Sequence, residues 1–119
     1  MINSFKYAGE GIKEMLTKHG NFRIQLAAAL AVVVAGAVFR LSFGEWAMLM
    51  LTIGLVLGAE MANSSIEAVV DLITKERRLK AKIAKDVVAG MVLLVSMLSV
   101  AIGVLIFLPK ILASLVLPG

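Results

Sequence analysis

Cysteine is absent from this 119-residue chain, which removes a disulfide framework and a thiolate metal site while leaving the compartment open. Its first residues lack the short apolar core and small-residue cleavage site of a secretory signal, so the first apolar stretch is expected to stay in the mature protein. No Walker A loop occurs, and Gly9-Glu10-Gly11 has neither a preceding strand nor a third glycine, so no glycine-rich loop is available to cradle phosphates. The basic residues cluster without aromatic interleaving or a soluble nucleic-acid-binding pattern, which sets nucleic acid aside as a partner. Charge is also scarce: 17% of residues are charged against 61% hydrophobic, and the mean hydropathy of +0.98 is too high for a soluble domain of this size.

What remains reads as a membrane protein. Crossing a hydrocarbon core of about 30 Å takes roughly 20 apolar residues in a helix. Three stretches meet that length, at about 22–39, 46–73 and 87–117, with Pro109 near the outer end of the last. They leave no room for a second domain, so 1–119 is one unit. Ahead of them Ile2, Phe5, Ala8, Ile12, Met15 and Leu16 recur at spacings of three and four, with Lys6, Glu10, Lys13, Glu14 and Lys18 mostly elsewhere. That pattern predicts an amphipathic helix over 2–18 lying in the membrane interface. His19-Gly20-Asn21 breaks it, as a hinge would.

Basic residues orient the chain. Lys6, Lys13, Lys18 and Arg23 precede or open the first span, and Lys75, Arg77, Arg78, Lys80, Lys82 and Lys85 crowd the connection between the second and third. By the excess of Lys and Arg on the inner side, the N-terminus and the loop 74–86 are predicted cytoplasmic. Only Arg40 and Lys110 fall on the opposite side, where Trp46 suits the interface. The first span, rich in Ala and Val with Gly36, reads as a packing helix without chemistry. The turn after it is short, so the first two spans are antiparallel neighbours. Gly54 and Gly58, extended by Ala62, form a small-residue pattern that lets another helix approach.

The chemistry is concentrated in 60–71. Glu60, Asn63, Glu67 and Asp71 stand at i, i+3, i+7 and i+11 and share one narrow stripe of a helix. Counted from Trp46 at 1.5 Å per residue, Glu60 lies about 21 Å into the hydrocarbon and Glu67 about 31 Å, near the cytoplasmic boundary. Ionisable groups at such depth are costly and mark functional sites. One polar residue would be explained by packing alone; a stripe that climbs from lipid to water suits a reaction between a membrane-embedded alcohol and a water-soluble phosphate donor. Lys85 and Asp86, at the predicted start of the third span, are placed to meet phosphate, metal or ribose.

Glu60, Asn63, Ser64, Ser65, Ile66, Glu67, Val70 and Asp71, followed by Ala84, Lys85 and Asp86, resemble the signature of the prokaryotic diacylglycerol kinases, a family that includes the undecaprenol kinases of Gram-positive bacteria. The resemblance covers nearly the whole chain. It implies an all-α membrane protein of the bacterial inner membrane, an N-terminal amphipathic interfacial helix plus three transmembrane helices, assembled as a homotrimer with sites built by neighbouring protomers. It also implies ATP as phosphate donor, Mg²⁺, and a lipid alcohol substrate, either diacylglycerol or undecaprenol. By the same resemblance Glu60 is the general base, Asn63 orients it, Glu67 holds the metal, and Tyr7, Glu67, Asp71, Lys85 and Asp86 serve the nucleotide. Phosphoryl transfer asks mainly for positioning and charge neutralisation, which such groups provide.

Two positions depart from the family's pattern. Ala62 stands where a larger aliphatic is usual, a packing change. His19 stands where the family carries a glutamate metal ligand, so His19 is expected to replace that ligand, or Glu14 to compensate. Two rival readings follow: a family member impaired by His19, and a small proton-coupled transporter in which Glu60 exchanges protons. Three spans argue against the second, as does the gathering of Glu67, Asp71, Lys85 and Asp86 at one interface.

Overall fold

A computed structural model describes residues 2–116 of the chain, which form four helices: α1 (Ile2–Lys18), α2 (Gly20–Val38), α3 (Phe43–Ile73) and α4 (Leu79–Val116). No strand occurs among the described residues. The last three are long and apolar enough to cross a membrane, and the chain is a multi-pass membrane protein.

The amphipathic stretch 2–18 is α1, as its spacing predicts. The hinge narrows to one residue. His19 is extended (φ −121°, ψ 99°), yet its N–H donates to the Met15 carbonyl and its carbonyl accepts from Arg23 N–H, both at 3.2 Å, so backbone bonding continues across the break. Arg23 Nη1 donates to the Leu16 carbonyl at 3.0 Å. Met15 and Phe22 are well covered on either side of the bend, which pins α1 against α2.

At its C-terminal end α2 closes with Leu41 N–H bonded to the Gly36 carbonyl at 3.2 Å and Arg40 N–H to that of Ala37 at 3.4 Å. This is a Schellman ending, with Arg40 at φ 55° in the left-handed position that glycine usually takes. Gly36 is required by contact. A Cβ there would lie 2.8 Å from Trp46 Cη2 and 2.9 Å from Leu41 Cδ1, so its missing side chain lets the indole of α3 close on α2. Ser42 then starts α3 through a capping box: Glu45 N–H donates to Ser42 Oγ at 3.2 Å, and Ser42 N–H to Glu45 Oε1 at 3.0 Å. The second span therefore begins at Phe43, ahead of the predicted 46, because the cap and not the apolar run sets a helix start.

α3 packs most extensively on α4 and less on α2. Leu41, Leu49 and Ile106 form the covered cluster at the start of α3, with Trp46, Ile53 and Ile102 against it. Phe39 meets Phe107 edge to face at 6.1 Å, and Lys110 Nζ binds Glu45 Oε1 at 3.0 Å beside Pro109, which α4 accommodates without ending. Much of the remaining apolar surface is uncovered by the chain itself, as expected where lipid or another subunit supplies the other wall.

One sequence expectation is corrected here. The connection predicted over 74–86 is a turn of 74–78, and α4 begins at Leu79, eight residues before the predicted 87. Hydropathy finds only the apolar run, while Leu79-Lys80-Ala81-Lys82-Ile83-Ala84-Lys85 is strong helix-forming sequence that extends the helix ahead of it. Lys85 and Asp86 therefore lie inside a helix, two turns past its start, and lose the expected contact with a helix N-terminus.

Candidate functional site

The polar stripe of α3 is divided between two partners. Its deeper end faces α2. Glu60 is 8% exposed, and its Oε1 accepts a hydrogen bond of 2.9 Å from Gln25 Nε2. One turn on, Ser64 Oγ lies 3.4 Å from His19 Nδ1 at the hinge. Glu60 with Gln25 and Ser64 with His19 are successive rungs of an antiparallel helix pair, in the register that Gly36 and Trp46 continue at the far end. The shallower end faces α4, where Lys85 Nζ binds Asp71 Oδ1 at 2.8 Å.

Asn63 and Glu67 stand between these ends. Asn63 Nδ2 donates to Glu67 Oε1 at 3.5 Å, one helical turn away, while Asn63 Oδ1 is buried with no partner. A buried carbonyl without a donor is costly and calls for a ligand. Asn63 and Glu67, one turn apart, bring an amide and a carboxylate oxygen to the same stripe, the ligand type that suits Mg²⁺ completed by phosphate oxygens and water. No group of three or more His, Cys, Asp and Glu side chains gathers into a metal cluster among the described residues. His19 offers Nδ1 to Ser64 rather than to Glu67.

At the basic end of the molecule the turn and the first two turns of α4 enclose an open cavity of about 630 Å³ lined by the cations Lys75, Arg77, Arg78, Lys82 and Lys85 and by the acids Asp71, Glu76 and Asp86, which pair with Lys85, Arg78 and Lys82. The excess of cations over acids in its wall suits a polyanion, with Lys75 and Arg77 outside the ion pairs found among the described residues. The hydrogen bond from Lys85 to Asp71 holds the Lys85 ammonium above its ordinary range, with the charges of Asp71 and Glu67 adding to that effect. Asp86 is turned to its own helix, bonded by Lys82 Nζ at 2.6 Å, an exposed pair of the kind that exchanges readily for other partners.

Most of the predicted residues are thus brought into one column running from Glu60 through Asn63 and Glu67 to Asp71, Lys85 and the basic turn. Tyr7 is not part of it. It is largely exposed on α1, which packs on α2, and makes no hydrogen bond to the other candidates among the described residues. Gln25 was overlooked by sequence reasoning, which gave α2 no chemistry. Its signal was legible: it is the one polar side chain between Ile24 and Val38, and a lone amide in a spanning helix seeks a partner on a neighbour.

The prokaryotic diacylglycerol kinase family matches residues 6–107 of this chain. The undecaprenol kinase of Bacillus subtilis is 44% identical over 109 residues, covering 92% of this chain and 89% of that protein. A diacylglycerol kinase of Synechocystis sp. is 37% identical over 117 residues, covering 98% of this chain and 67% of that protein. One from Helicobacter pylori is 33% identical over 90 residues, covering 76% and 70%.

Proposed function

Because the chain belongs to the prokaryotic diacylglycerol kinase family and is a lipid kinase, we propose that it transfers the γ-phosphate of ATP to the hydroxyl of a membrane alcohol, undecaprenol or diacylglycerol, at the cytoplasmic face of a bacterial inner membrane. In this reading 1–119 is a single lipid-kinase domain and the working unit is a homotrimer. The observation that carries it is the column itself: a covered carboxylate at bilayer depth, continuous along one helix face with an oxygen-donor pair and then with a cationic cavity.

The lipid hydroxyl approaches from the bilayer, and Glu60 accepts its proton as the oxygen attacks the γ-phosphorus; the bond from phosphorus to the bridging oxygen breaks and ADP leaves towards water. Glu60 and Glu67 are separated by about 10 Å along the helix, a span that the hydroxyl, the transferring phosphoryl group and its counter-ion together would fill. Asn63 and Glu67 would hold Mg²⁺, with His19 the remaining candidate ligand; when bound, the ion neutralises phosphate charge and aligns the donor. Lys85, held by Asp71, faces the phosphates with Arg77 and Arg78, while Asp86 and Tyr7 serve the rest of the nucleotide. The position of Glu60 within the apolar part of α3 supports an alcohol held in the membrane over a soluble acceptor.

The test is transfer of labelled phosphate from ATP with Mg²⁺ to undecaprenol and to diacylglycerol in mixed micelles. Label is expected in at least one lipid, and Glu60→Gln is expected to lower kcat by about 10²–10⁴-fold, the usual contribution of a general base. Absence of label in both lipids from a folded wild-type chain overturns the reading.

A further inference from the structure

We infer that Gln25 is the positioning residue of Glu60: its amide fixes one carboxylate oxygen so that the other is free for the lipid hydroxyl. The inference rests on the functional reading above, but its geometry does not. Gln25 Nε2 and Glu60 Oε1 are 2.9 Å apart across two helices, between residues 35 apart in sequence, so the contact is a feature of the tertiary fold. Sequence reasoning gave this task to Asn63, whose Nδ2 is instead turned towards Glu67.

The orientation of the amide follows from chemistry. A carboxylate accepts and cannot donate, so the NH₂ side of Gln25 must face it; the reverse orientation would set two acceptors against each other. The consequence is that Gln25 Oε1 is buried without a partner. An arrangement that leaves a carbonyl unsatisfied in order to meet one carboxylate oxygen sacrifices stability for geometry, as groups at functional sites do. The surroundings leave no substitute. Gln25 lines an otherwise mainly apolar groove of about 290 Å³ between α2, α3 and α4, where Thr52 and Ser99 spend their hydroxyls on carbonyls of their own helices, each at 2.7 Å. Ser96 is the remaining polar lining residue, and among the described residues the hydrogen bond to the Glu60 carboxylate comes from the Gln25 amide.

A carboxylate held by one oxygen loses its freedom to rotate about the terminal bond. Placement of a base to within a fraction of an ångström is worth large factors in rate, so loss of the amide should act on turnover rather than on nucleotide binding. Gln25→Met preserves length and volume, removes the donor and suits the membrane. With helical content and elution in detergent unchanged, its kcat is expected to fall about 10- to 100-fold with the KM for ATP within about twofold of wild type. Should Gln25→Met fail to fold, Gln25→Leu, which also lacks a donor and carries no ionisable group, is measured in the same way.

A second arm is independent of turnover. The infrared carboxylate stretch of Glu60, identified as the band lost in Glu60→Gln, is expected to shift in the Gln25 variant. A stationary band, an unchanged kcat, or a change confined to KM overturns the inference. If the wild-type chain transfers no phosphate to any lipid alcohol, the functional reading falls, and the infrared arm alone decides whether Gln25 sets the Glu60 carboxylate.

Discussion

At His19 the imidazole reaches Ser64 across the hinge, at the position expected from the family resemblance to hold a glutamate metal ligand. If His19 is the ligand that stands in for that glutamate, it binds Mg²⁺ less well than oxygen would. His19→Glu is therefore expected to lower the Mg²⁺ concentration giving half-maximal transfer by several-fold, about one kcal/mol for each factor of five, with kcat at saturating Mg²⁺ little changed. An unaltered Mg²⁺ dependence would leave His19 a hinge residue that tethers Ser64. Lys85 yields a prediction with a definite sign. Asp71 raises the Lys85 pKa, so if Lys85 holds the phosphates, wild-type ATP affinity is expected to persist into alkaline pH and to be lost as pH rises through the elevated value. In Asp71→Asn that loss should come at lower pH, because the hydrogen bond and the negative charge are both gone. The check is the KM for ATP across an alkaline pH series; identical profiles for the two proteins would remove Asp71 from the nucleotide's support. Both residues are exposed enough for solvent to damp the effect, so a displacement of the profile is expected rather than a change in its shape.

Helices are where the sequence was most and least informative. The spacing of Ile2, Phe5, Ala8, Ile12, Met15 and Leu16 defined α1 to its ends because one polar and one apolar face impose a period, and length with apolarity located the three spans. The starts of α3 and α4 escaped that reasoning. Hydropathy finds only the apolar run, whereas Leu79 starts a helix ahead of it and Ser42 starts one through its cap. The Ser42-x-x-Glu45 pattern was present to be read as a capping box, and Glu45 serves twice, since it also binds Lys110. The column of site residues was legible for the same reason as α1, being a periodicity on one helix; Gln25 was not, because its partner is set by how α2 packs on α3. Gly54 and Gly58 illustrate the converse. Their spacing invites a close helix, yet no atom outside the local helix lies within 4 Å of a Cβ built at either, whereas Gly36, which belongs to no such pattern, is where helices meet closely. Ser42→Ala removes the acceptor for Glu45 N–H and is expected to cost about 1 kcal/mol of stability in denaturant titration in detergent micelles, leaving the KM for ATP unchanged because the cap lies at the far end of α3 from the basic turn. Unchanged stability would mean that the Glu45 to Lys110 pair alone holds that corner.

For the molecule as a whole, one chain leaves its chemistry half sheltered. Glu60 is covered, but Glu67 and Asp71 are open on the same stripe, and no three ligating side chains converge on a metal among the described residues. Open space at Gly54, Gly58, Gly90 and Gly103 and broad uncovered apolar faces provide room for neighbouring copies to close on the stripe. A homotrimer whose sites draw the base from one protomer and the phosphate-binding lysine from the next would meet both needs. The alternative, a site completed within one chain, is structurally credible as well, since Lys85 already touches the stripe through Asp71. Subunit mixing separates the two. Glu60→Gln and Lys85→Met are each expected to be nearly inactive as homo-oligomers. When equal amounts are dissociated and reassembled at random, a site that takes Glu60 from one subunit and Lys85 from a defined neighbour is intact in about one case in four, so about a quarter of the wild-type rate should return. A site contained in one chain can never be intact in the mixture, and activity would stay at the level of the separate mutants. Recovery would also tie the oligomer to the chemistry, because it requires that the two halves of the column belong to different protomers.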